Sequence, residues 1–263
     1  MEKIKTIIRK EWAEVFKNRM VLFTVAFLPL IMTALPLGIL LAMGGDASMD
    51  AAGSEMPDAF NAFCPPGLNG GECFQVYMVS QFMIMFMIIP LAIPSTIASY
   101  SIVGEKSTRS LEPLLATPIT TVELLVGKCL AAVIPAVIAT YAGFIIYAIG
   151  AWLIVTNRAI FAAMMDARWL IAIFVVGPLM ALLSVTVSVM VSSRVNDPRV
   201  AEQLSMIVIL PVLAFFFGQL TGLFIINKQV ILVTAVVLIF IDAGLVYLAA
   251  KLFQRETILT RWK

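Results

Sequence analysis

The chain has 263 residues, of which 61% are hydrophobic and only 13% are charged, and its mean hydropathy is +1.01. Soluble domains carry about 25% charged residues, so this composition excludes a stack of water-soluble domains. The net charge is only +2 and there is no histidine, which excludes His-based metal sites and Ser-His catalytic groupings.

A helix needs about 20 apolar residues to cross a bilayer core. Six stretches meet that length: Val21–Met43, Phe74–Ser99, Val122–Val155, Trp169–Ser193, Gln203–Ile226 and Val230–Ala250. The expected fold is therefore an all-α polytopic membrane protein. It divides into an amphipathic interfacial helix at 1–20 and a six-helix domain at 21–263, with loops at 44–73 and 100–121. Lys and Arg accumulate on the cytoplasmic side of membrane proteins. With both termini inside, fifteen of the eighteen Lys and Arg residues fall inside, and only Arg158, Arg168 and Lys228 fall outside. The segment 44–73 has no Lys or Arg but holds Asp46, Asp50, Glu55, Asp58 and Glu72, as an external loop should. A cleaved signal peptide is not expected. The opening segment holds Glu2, Glu11 and Glu14, and its apolar run is too long.

In chain order, residues 2–18 place Ile4, Ile7, Ile8, Trp12, Val15 and Phe16 at helical spacing, with basic residues on the other faces. Such a helix is expected to lie in the cytoplasmic interface with Trp12 at headgroup depth, as a passive anchor or a force-transmitting elbow. The first span carries Pro29 and Pro36, tolerable in a membrane helix. External Cys64 and Cys73 can form a disulfide, whereas Cys129 lies within a span as apolar filler. The second span is rich in methionine, and Met83 and Met87 are candidates for a translocation path, with ordinary packing or lipid contact as the alternative.

The loop after it reads SIVGEKSTRSLEPLLATPITTVELLVGK. Leu111, Leu114 and Leu115 give its short helical segment one apolar face, suited to docking or to resting on the membrane surface. Thr120 and Glu123 form a capping box that starts the third helix, and Pro135 is expected to bend it. Asp197 as N-cap with Pro198 behind it starts another helix. Gly218 and Gly222 permit either close helix approach or a break with a re-entrant piece. Asp242 in the last span is a candidate path residue, because an ionisable side chain in a membrane span is costly and usually functional. No phosphate-binding loop, catalytic residue, metal site or nucleic-acid platform is present, and no inside loop is long enough for a nucleotide-binding domain.

The stretch Gly104–Lys128 resembles the signature of ABC type-2 exporter permeases through Glu105, Lys106, Leu111, Glu112, Leu114, Leu115, Thr117, Pro118, Gly127 and Lys128. Ser192–Leu204 is similar to that family's second cytoplasmic loop. The LEPLLATP wording is most similar to NatB-like sodium-exporter permeases. The resemblance implies a permease half-transporter in the cytoplasmic (inner) membrane. It would pair with a second permease subunit, identical or not, and dock a separate ATPase subunit that binds ATP and Mg. This chain itself would bind no cofactor. The segment Ser107–Thr117 would be the coupling helix, with Leu111, Leu114 and Leu115 as contacts and Glu105 and Arg109 steering or latching the docking. The alternative is a non-transporting membrane anchor or sensor within a larger complex.

Overall fold

The computed structural model describes residues 2–43, 67–107, 119–223 and 226–252. Within these, all regular structure is helical, and six stretches are long and apolar enough to cross a membrane. The chain is an all-α polytopic membrane protein.

Helix α1 (Glu2–Val15) leads through a short turn into α2 (Arg19–Met43), the first span. The second span is longer than the sequence suggested, running from Gly70 to Glu105 as α3 (Gly70–Phe86) and α4 (Ile89–Ser107). Pro90 explains the break between them. It lacks the N–H that would bond to the Phe86 carbonyl, and its ring crowds that carbonyl. Because α4 continues through Ser107, the loop expected at 100–121 begins later than the composition implied. Helix α5 (Thr121–Ile154) starts at the expected capping box: Thr120 Oγ1 accepts from Glu123 N at 3.2 Å, and Glu123 accepts from Thr120 N at 2.9 Å. It continues through Pro135 as one helix.

The fourth span is assembled from α6 (Arg158–Met164), α7 (Ala167–Ile171), a π-helical turn (Ala172–Val176) and α8 (Gly177–Ser192). Pro178 causes the widened turn. It cannot donate to the Phe174 carbonyl four residues back, and Gly177 N bonds instead to Ala172 O, five residues back. The Tyr141 hydroxyl donates to the freed Phe174 carbonyl at 3.3 Å. Asp197 caps α9 (Pro198–Ser205) as expected, accepting from Arg199 N at 2.8 Å. A 3-10 turn (Met206–Ile209) then leads into α10 (Leu210–Leu220). It is tightened ahead of Pro211, which likewise lacks its donor. The last span is α11 (Lys228–Leu252).

Helix α4 is the centre of the bundle, and every residue from Ile89 to Ser99 is buried. It packs most extensively against α8 along a seam of small polar residues. Ser95, Ser99, Ser184, Ser188 and Ser192 are all fully buried, and the Ser184 hydroxyl donates to the Leu91 carbonyl at 2.5 Å. Small residues let backbones approach where water supplies no driving force between helices. The outer faces of α2, α5 and α11 expose Phe23, Leu153 and Phe240, the reverse of a soluble protein and the expected lipid contact.

The two glycines after the FFF run are resolved as a helix stop. Gly222 adopts φ 72°, Leu223 N bonds to Gly218 O at 3.0 Å, and Gly222 N bonds to Gln219 O at 3.1 Å. This is the reciprocal pair of a Schellman C-cap. Replacing Gly222 with Ala forces a Cβ into the left-handed region. It is expected to cost roughly 1–2 kcal/mol, read as a lower thermal unfolding midpoint in detergent, whereas Gly244→Ala, in open space within α11, does not lower the midpoint.

Candidate functional site

The amphipathic helix does more than lie on a surface. Its apolar stripe of Ile7 and Val15 also carries Glu11, and all three are buried. Stripe residues recur every three or four positions, so helical spacing drives Glu11 into the bundle with its apolar neighbours. There it meets Lys128 of α5, whose ammonium lies 2.8 Å from Glu11 Oε1, 2.8 Å from Glu105 Oε2 and 2.9 Å from Ser101 Oγ. An ammonium has three donors; two make hydrogen bonds to Glu11 and Ser101, and Glu105 adds a close ion pair. The Ser101 hydroxyl in turn donates to the second oxygen of Glu11. Lys10 closes the cluster, donating to Glu105 Oε1 at 2.7 Å.

Two carboxylates therefore face two ammoniums. Glu11, Glu105 and Lys128 are 3%, 5% and 7% exposed, so each charge depends on its neighbours rather than on water. Burial pulls the Lys10 pKa down. The hydrogen bond to Glu105 and the charges of Glu105, Glu11 and Glu14 outweigh that, so the net shift is upward and Lys10 stays charged.

Two further contacts seat α1. A Cβ on Gly127 would lie 2.8 Å from Ile7 Cγ2 and 3.0 Å from Ile7 Cβ, so only glycine admits this approach. The Trp12 indole N–H donates to the Ala131 carbonyl at 2.8 Å. Pro135 is the reason that carbonyl is available, since it has no N–H to return to it. Trp12 is thus tied to α5. Near the same end α9 is fastened to α4 by Thr96, whose hydroxyl donates to Glu202 Oε1 at 2.5 Å. The far end is held by Asn157 donating to Glu72 Oε1 at 2.8 Å and by Arg168 donating to the Ile226 carbonyl at 3.3 Å.

The candidate residues separate as follows. Glu105 is buried in the ionic cluster, with Lys10 and Lys128 on its two oxygens. Arg109, Leu111, Leu114 and Leu115 lie outside the described residues. Met87 lines an apolar cavity of about 440 Å³ between α3, α4, the fourth span, α10 and α11. Met83, at 1% exposure, packs in the core instead. Asp242 is 3% exposed on the inward face of α11 shared with Ile231, Ala235 and Leu238, and among the described residues neither carboxyl oxygen has a hydrogen-bond partner. Cys73 is disulfide-bonded and Cys129 is free, while Cys64 lies outside the described residues. No metal-binding group of His, Cys, Asp and Glu occurs among the described residues. Sequence reasoning missed Lys10, Glu11 and Ser101. The signal for Glu11 was there, an acid on the apolar stripe of a short helix.

Removing one partner of a buried charge pair leaves the other uncompensated. Lys128→Met is expected to destabilise the protein by about 3–5 kcal/mol and to expose α1 to limited proteolysis. Adding Glu11→Gln should recover part of that loss, with a coupling energy of about 0.5–3 kcal/mol in a double-mutant cycle. Strict additivity would mean that the two side chains do not interact. Gly127→Ala should release α1 without touching any charge.

No curated protein matches the chain. A family model described as "ABC-2 family transporter protein" matches residues 5–235, a span that takes in most of α1, the ionic cluster and the first third of α11. That match covers most of the chain, which therefore belongs to the ABC-2 transporter family.

Proposed function

We propose that this membrane subunit is the permease of an ATP-driven exporter, coupled through its 107–117 segment to a separate ATPase subunit that holds ATP and Mg. Membership of the ABC-2 family makes the chain a transporter membrane subunit. The observation that carries the finer reading is the ionic cluster. Glu105 and Lys128 stand at the two ends of the chain stretch that holds the segment, and both are bound to α1. A docking segment is useful only if a push on it moves helices rather than bending its own stems. Here the stems, α4 and α5, are cross-linked by Lys128 itself and by α1 lying across both. Leu111, Leu114 and Leu115 supply an apolar face for the ATPase, with Arg109 as a polar contact at its edge. Glu105 acts within the permease, as a latch on the stems.

On this reading the α1 end is cytoplasmic, as the distribution of Lys and Arg supports, and the protein sits in the cytoplasmic membrane. It works as a pair of permeases with two ATPases.

The test is copurification of the tagged permease in mild detergent with an ATPase assay on the eluate. The unmodified chain should bring down a nucleotide-binding subunit with measurable hydrolysis. Leu114→Glu with Leu115→Glu should abolish that association while leaving the thermal midpoint of the permease unchanged. Retained copurification would overturn the coupling assignment, and a permease that never recovers an ATPase would point to a non-transporting anchor.

A further inference from the structure

The cavity beside Met87 has a feature that ordinary packing does not explain. Each of the three helix irregularities described above contributes to its wall: Met87 from the α3–α4 break, Ala172 and Val176 from the π turn, and Val208 from the 3-10 turn. A proline stands beside each irregularity, Pro90, Pro178 and Pro211. Irregular turns are where a helix can change its local winding at low cost, and π turns are frequent at functional sites. Three of them on one cavity make its walls adaptable.

The lining also selects its occupant. Its one side-chain hydroxyl, on Thr234, already donates to the Val230 carbonyl at 2.8 Å, and no charged residue reaches the wall. Apolar cavities of this kind stay dry and accept apolar guests. About 440 Å³ holds roughly fifteen water-sized groups at ~30 Å³ each, enough for a stretch of hydrocarbon chain. Every helix around it belongs to a membrane span, so the surrounding solvent is lipid. On one side the wall is α11, where Val233, Val237 and Ile241 line the cavity yet remain 61%, 49% and 43% exposed, so the cavity is open beside a membrane-spanning helix.

We infer that this cavity is a binding site for the acyl chain of a membrane phospholipid, which enters sideways past α11 and leaves its headgroup outside. The site is built from this chain alone and does not depend on the exporter reading or on any ATPase.

The full chain, reconstituted in phospholipid nanodiscs, would be photolysed with a phosphatidylcholine carrying a diazirine in its acyl chain, and the adducts mapped by mass spectrometry. Adducts are expected on buried Met87 and Trp169, at 5% and 3% exposure, as well as on outward-facing Phe240 and Leu153. Ala172→Phe and, separately, Val212→Phe fill the cavity and should remove the Met87 and Trp169 adducts while the Phe240 and Leu153 adducts persist, which also shows that the bundle is intact. Adducts confined to the outer faces would overturn the proposal. So would cavity adducts that survive both substitutions. A parallel arm with a free diazirine fatty alcohol separates the sources: labelling of Met87 and Trp169 by the alcohol but not by the phospholipid would mean a site for small apolar molecules and would defeat the lipid assignment.

Discussion

Moving the ammonium of Lys128 out of water is the constraint around which one end of the molecule is arranged. An isolated charge in this position would cost several kcal/mol, and it is tolerable only with complete compensation. Glu11, Glu105 and Ser101 supply that compensation from α1 and α4. Satisfying one side chain therefore fixes three helices relative to one another. A hydrophobic contact would hold α1 as tightly but would let it slide, since apolar burial is non-directional. Two hydrogen bonds and a close ion pair on one nitrogen allow no such sliding. Lys3 and Glu123 show the contrast: a half-exposed pair at 3.8 Å on the same two helices, of the kind that contributes little in water.

The prolines form a second layer of organisation. Each removes one donor and so leaves one carbonyl without its helical partner, and the structure uses two of these carbonyls. Ala131, released by Pro135, receives the Trp12 indole; Phe174, released by Pro178, receives the Tyr141 hydroxyl. A side chain elsewhere in the fold completes the helix, and the break becomes a tertiary contact. Pro90, Pro178 and Pro211 have the further effect of changing the local winding of three spans around one cavity.

What could be read from the chain beforehand was what depends on short-range chemistry. The six spans follow from apolar run length, and the starts at Thr120 and Asp197 follow from capping groups that bond within three residues. The resemblance carried by Glu105, Gly127 and Lys128 led to the right family, yet their physical roles were not legible. Glu105 reads as a surface acid because its lysine partners are distant in sequence, and Gly127 reads as neutral until Ile7 is seen against it. Trp12 reads only as an interfacial residue because its partner, the carbonyl freed by Pro135, is 119 residues away in the chain. The cavity was hidden for the same reason, since it depends on which irregular turns come to lie side by side.

Helix α4 joins the two layers. Toward one end it carries Ser101 and Glu105 into the ionic cluster, farther along Thr96 meets Glu202, then Leu91 receives Ser184, and just before its start Met87 borders the cavity. From Met87 to Glu105 is about 27 Å at ~1.5 Å per residue. A helix buried on all sides along Ile89–Ser99 cannot bend without opening voids in a close-packed interior. Movement imposed at the cluster must then appear at the nearest place where the helix is already interrupted, which is the break at Pro90. The rigid end and the adaptable middle are thus mechanically in series. Stiffness at Lys128 is what would allow a displacement to reach the cavity wall rather than dissipate in the loops beside it.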